Sequence, residues 1–151
     1  MKIVLLSILS GFLLANSFAL DMVCKKVNKK EVEEILGVNF KSATVGKLPF
    51  EAPYDVSFCE YKNGVLPEFS IYYFGNQESY NTVISPFNSK KKLSNLEFDA
   101  QIALTPKKKK VVQLVAKTKK GVLSFIFANG IKDNNYTKAL NLITSLRDKF
   151  K

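Results

Sequence analysis

Val111–Ala128 reads VVQLVAKTKKGVLSFIFA. Two apolar runs, rich in β-branched and aromatic residues, flank a Lys-Thr-Lys-Lys-Gly connection at 117–121. Such runs joined by a short glycine-bearing link predict a long antiparallel hairpin. The rest of the chain reads as strands added to this ribbon or helices laid on it.

Upstream, Leu96, Phe98, Ala100, Ile102 and Leu104 alternate with polar residues and predict a strand over 96–104. Pro106 and Lys107–Lys110 turn it into the hairpin. Tyr54–Tyr61 alternates likewise and ends at the turn signal Lys62-Asn63-Gly64. Its expected partner is Glu68–Phe74, with aromatics on both faces, as in a sheet covered on one side and partly covered on the other. Phe40–Val45 could add a short edge strand. After Ala128, Asn129-Gly130 is expected to break the hairpin's second strand.

Three helices are expected. Asn28 is a good N-cap, Glu31 would complete a capping box, and Val27 and Val32 fit a hydrophobic staple. Gly37 ends that helix. Gly75-Asn76 opens a second, running to about Ser85, with Tyr80, Val83, Ile84 and Phe87 at helical spacing and Pro86 as its stop. Asp133 caps a third, in which Tyr136, Ala139, Leu140, Ile143, Leu146 and Phe150 recur at steps of three and four. The expected class is therefore α+β: a mostly antiparallel sheet of five to six strands, with a short N-terminal helix, a middle helix and a C-terminal amphipathic helix packed on it.

The first residues read as a targeting device. Lys2 precedes an apolar run over 3–14, and Ser17-Phe18-Ala19 offers small residues for cleavage after Ala19. The run is short, and Asp21, Lys25 and Lys26 follow too soon for a comfortable membrane span. An uncleaved anchor is the alternative. The expectation is a signal peptide over 1–19, a single domain over 20–151, and residence in the periplasm or outside the cell.

Cys24 and Cys59 are the only cysteines. In an exported chain an even count reads as a disulfide, and two cysteines allow one pairing. A redox or metal pair is disfavoured, because they do not form C-x-x-C and the chain has no histidine.

The formal charge is +10, almost all of it lysine. Bidentate recognition of phosphate or bases favours arginine, so a nucleic-acid reader is disfavoured. Lys90, Lys91, Lys92, Lys117, Lys119 and Lys120 are expected at one end of the sheet. Lys107, Lys108, Lys109, Lys110 and Lys132 are expected at the other, about 20 Å away along a seven-residue strand. Solvated turns that discourage edge aggregation explain such clusters; a dock for an acidic partner or lipid headgroups is the functional reading. Leu48, Phe50 and Tyr54 sit in a loop with Gly46, Pro49 and Pro53, which reads either as a loop tucked over the core or as a candidate binding lip.

Catalytic chemistry is sparse. Without histidine there is no Ser-His or Cys-His pair and no His-based metal site. Glu31, Glu33 and Glu34 read as solvated helix charge, and Glu97 and Asp99 as the outer face of a strand. No phosphate-binding glycine loop is present. Neither an enzyme nor a cofactor is expected.

Cys24 before a helix ending Glu34-Ile35-Leu36-Gly37, then Cys59-Glu60-Tyr61 in the first strong strand, make a pattern. With the lysine-glycine turn and the C-terminal helix, it resembles the small exported bacterial α+β sandwiches grouped with the PsbP and Mog1 folds. Within that group it resembles periplasmic proteins and lipoproteins with Cys…Glu-Val-x-x-x-Leu-Gly…Cys-x-Tyr, here Cys24, Glu31–Gly37 and Cys59–Tyr61. The resemblance implies the fold and the disulfide but no catalytic residues. The chain departs from the lipoproteins in lacking a lipidation cysteine. Three functions then compete: a non-enzymatic module contacting another envelope protein, a carrier of a small apolar ligand held between sheet and helices, and a binder of anionic lipid or polysaccharide through the lysine turns.

Overall fold

The structure, a computed structural model, describes residues 22–46, 56–84, 89–106, 110–133 and 136–151. The expected signal peptide, the lip at Leu48, Phe50 and Tyr54, and Lys107, Lys108 and Lys109 lie outside them.

The fold is α+β, with a seven-stranded antiparallel sheet rather than five or six strands. In chain order the strands are β1 (Ser42–Thr44), β2 (Val56–Lys62), β3 (Pro67–Phe74), β4 (Lys90–Lys92), β5 (Ala100–Leu104), β6 (Val111–Lys117) and β7 (Val122–Ile131). They lie side by side as β1-β2-β3-β7-β6-β5-β4. The hairpin read from 111–128 is β6–β7, and β7 joins its meander to the β1–β2–β3 meander by pairing with β3.

Four helices complete the described residues: α1 (Met22–Lys26), α2 (Lys29–Leu36), α3 (Ser79–Ile84) and α4 (Thr137–Leu146), the last running into a 3-10 turn at Arg147–Phe150. On one face of the sheet Cys59, Tyr61, Phe69, Ile71, Leu114, Leu123 and Phe125 pack with residues of α1, α2 and α4. An aromatic file crosses this layer. Tyr61 stands 5.4 Å from Phe69, and Phe69 stands 5.0 Å from Phe127. On the other face Tyr80 and Ile84 of α3 cover Ala103, Val115 and Val122. Burial on both faces explains why β6 and β7 read as near-continuous apolar runs.

Several boundaries differ from the sequence reading. Leu96 and Phe98 lie in a loop, not a strand: β5 starts at Ala100, and Asn95 takes a positive φ just before them. Lys90, Lys91 and Lys92, read from the sequence only as part of a charged end cluster, form an edge strand, β4, paired with β5. Its exposed lysines disguise it, as edge strands use charge to refuse further pairing. Asn129-Gly130 does not end β7. Gly130 takes a φ of +61° where the β6–β7 register shifts between Val111 and Gln113, so the strand passes through an irregularity to Ile131. Helix α3 starts at Ser79, later than the 76–85 reading.

Helix α1 has no periodic signature. Its five residues are too few to stand alone. The Cys24–Cys59 disulfide and the bond from the Val23 amide to the Ser57 hydroxyl (2.9 Å) hold it on β2. Asn28 does cap α2, accepting from the Lys30 amide at 2.9 Å, and Gly37 closes it through its bond to the Glu33 carbonyl. Glu31 reaches Lys149 rather than serving a capping box. Asp133 satisfies the start of α4 from outside the helix, its carboxylate accepting from the Lys138 and Ala139 amides.

Candidate interaction surfaces

Each end of the sheet carries a distinct surface. The first is built around the β2–β3 hairpin, whose last pair is Lys62 with Pro67. The intervening turn carries Val65 and Leu66, which are 92% and 78% exposed. Their presentation is fixed by Asn63. Its amide donates to the Asn39 carbonyl (2.9 Å) and to Glu68 (3.1 Å), while its oxygen accepts from the Lys41 amide (3.0 Å).

Beside this turn a groove of about 150 Å³ opens at the same end, lined by Leu36, Val38, Phe40, Phe69, Phe127 and Ile131. Its rim carries Glu68, Asn129 and Lys138. The Lys138 ammonium donates to the Leu36 carbonyl, so the start of α4 is tied to the end of α2 beside the groove. Val38, on the groove wall, is 45% exposed. Lys110 and Lys132 flank the paired residues Val111 and Ile131 at this end, and the Lys110 ammonium donates to the Asn129 carbonyl.

The second surface lies at the β6–β7 turn. Asp99 receives Lys92 at 3.0 Å and Lys117 at 3.1 Å. These two lysines hold the Asp99 carboxyl below its ordinary pKa, mainly through their hydrogen bonds. Lys119 and Lys120 are exposed on the turn itself. The turn is pinned by Gln77, whose amide donates to the carbonyls of Thr118 (2.7 Å) and Lys119 (3.0 Å). The Thr118 hydroxyl closes it internally by accepting from the Gly121 amide at 2.9 Å.

Thus Lys92, Lys117, Lys119 and Lys120 do share an end. Strand alternation turns Lys91 away from its neighbours, and its ammonium stands 4.7 Å from the Tyr136 ring centre. Glu97 and Asp99 lie in the loop before β5, where Asp99 serves as a lysine anchor. Glu33 binds Lys29 and the Phe40 amide, and those bonds lower its pKa. Both cysteines are bridged, and no cluster of metal-ligating side chains occurs among the described residues.

Sequence reading missed the Val65-Leu66 tip. The signal was present, since two apolar residues between Gly64 and Pro67 have no strand neighbour to cover them. It also missed Asn63 and Gln77 as clamps, because their bonds reach across the chain. No protein-family model, curated protein or solved structure matches the chain.

Proposed function

We propose that the protein is a non-enzymatic binding module that works outside the cytoplasm and contacts another envelope protein through the hairpin end. The Cys24–Cys59 disulfide supports an oxidising setting. The observation that carries the contact is the exposed Val65-Leu66 pair, on a turn that Asn63 anchors at its base beside an apolar groove. Apolar side chains exposed to water next to a concave apolar wall are an interface pattern, with an anchor and a pocket in one patch.

Affinity capture from envelope extracts, with wild type beside a Val65→Ser/Leu66→Ser variant, tests the reading. A protein retained by wild type and lost by an equally folded variant is expected. Identical profiles for the two would overturn it.

The apolar-carrier reading has less support. Carrier sites commonly enclose about 300–1,000 Å³, against about 150 Å³ for the groove. Native mass spectrometry showing a co-purifying apolar molecule would reverse that preference.

A further inference from the structure

Two Asn-Gly pairs occur in the chain, Asn63-Gly64 and Asn129-Gly130. An asparagine before glycine is open to attack by the next backbone nitrogen on its side-chain amide, because glycine has no Cβ to block the approach. The fold treats the two pairs differently. Asn63 is clamped: its amide nitrogen donates to the Asn39 carbonyl and to Glu68, and its oxygen accepts from the Lys41 amide. Asn129 is exposed, and its side-chain amide makes no hydrogen bond among the described residues.

The main chain at Asn129 is loosely held as well. Pairing of β3 with β7 stops at Phe69 with Phe127. Between the pairs Gln113–Ile126 and Val111–Ile131, β6 sets only Val112 against Phe127, Ala128, Asn129 and Gly130. Ala128, Asn129 and Gly130 therefore have no register partner in either neighbouring strand, and rotation of the backbone there disturbs no ladder pair. A charged group also faces the reacting peptide. The Lys110 ammonium donates to the Asn129 carbonyl at 3.3 Å. Its stem lies against Gly130, where an added Cβ would meet the Lys110 Cβ at 3.0 Å. That carbonyl belongs to the peptide bond whose nitrogen is Gly130's. When the Gly130 N–H loses its proton, the negative charge moves onto this oxygen, where the ammonium stabilises it.

We propose that Asn129 is a site of self-deamidation, assisted by Lys110. Hydroxide or water removes the Gly130 amide proton. The nitrogen attacks Asn129 Cγ, the Cγ–Nδ2 bond breaks, and ammonia leaves with a proton from water, closing a succinimide ring. Water then opens the ring. Cleavage at Cγ gives aspartate, and cleavage at the main-chain carbonyl gives isoaspartate. No oxidant or cofactor takes part. Either product puts a carboxylate on the rim of the apolar groove, next to Lys110, where a neutral amide stood. Isoaspartate also lengthens the main chain at a place where β7 is already out of register. The groove thus changes its charge as the protein ages.

Peptide mass mapping of the full chain over time at mildly alkaline pH, folded and in urea, tests the proposal. In the folded protein Asn129 should convert at least about tenfold faster than Asn63, whose hydrogen bonds must break first. In urea, with the clamp gone, the two rates should agree within about threefold. Lys110→Gln should slow Asn129 in the folded protein by about threefold or more, through loss of the charged donor, and leave its rate in urea unchanged. The Asn63 rate in the same sample reports whether the variant is folded. Equal rates at the two sites in the folded chain, or a folded Lys110→Gln variant that converts as fast as wild type, would overturn the assignment. So would an Asn129 that stays intact in the folded chain while the urea sample converts.

Discussion

Gly121 packs against Phe74 so closely that a Cβ at position 121 would run into the Phe74 carbonyl oxygen and meet the Tyr73 ring. The clash is with backbone, which cannot swing aside. The hairpin turn read from the sequence is therefore locked to the neighbouring strand. Gly121→Ala should cost about 2 kcal/mol or more, by forcing β7 away from β3. Urea unfolding would show a lower midpoint, and a variant as stable as wild type would contradict the packing.

The Cys24–Cys59 bridge spans a sequence separation of 35 residues. Replacing both cysteines with serine should remove about 3–4 kcal/mol on the chain-entropy account. Loss should be local first, because α1 is only five residues long and the bridge is its covalent tie to β2, beside the Ser57 bond and the buried Val23. Hydrogen exchange should show the amides of 22–26 opening before those of β6 and β7.

Asp99 supplies a pH dependence with a definite sign. Its folded pKa is depressed below the ordinary 3.8 by Lys92 and Lys117. The stability it contributes is present above the unfolded-state pKa and is lost as pH falls through the folded one. Carboxyl NMR titration should place Asp99 below the ordinary aspartate value. Asp99→Asn should abolish its share of the acid-side decline while lowering stability at neutral pH. A titration at the ordinary value would refute the two-lysine anchor.

Tyr61 is fully buried, and its hydroxyl has no hydrogen-bond partner among the described residues. Burial, with a smaller contribution from Glu31, raises its pKa far above that of free tyrosine. A raised folded pKa means stability that is intact below the unfolded value and lost as pH climbs beyond it. Tyr61→Phe should therefore leave stability unchanged, or raise it by up to about 1 kcal/mol, since it removes an unpaired polar group from the core. It should also blunt alkaline unfolding, followed by tyrosinate absorbance. A large destabilisation would mean that the hydroxyl has a partner.

The amino-acid sequence by itself determined the features that depend on near neighbours. Apolar alternation set β2 and β3, since side chains two apart share a face, and near-continuous apolar runs joined by a glycine-bearing link set β6 and β7. Asn28 and Gly37 bounded α2, because caps act within one turn. Cys24 and Cys59 had a single possible pairing. The tertiary structure decided what depends on residues distant in the chain. Strand β4 consists of three lysines and exists because β5 offers it a partner. The strand at Asn129-Gly130 continues because β6 pairs with Ile131 beyond the irregularity. Helix α1 stands because a disulfide and a buried serine hold it. The two surfaces belong to the same class. Val65 and Leu66 are presented by Asn63's bonds to Asn39 and Lys41, and Lys119 and Lys120 by Gln77, contacts that periodicity does not encode.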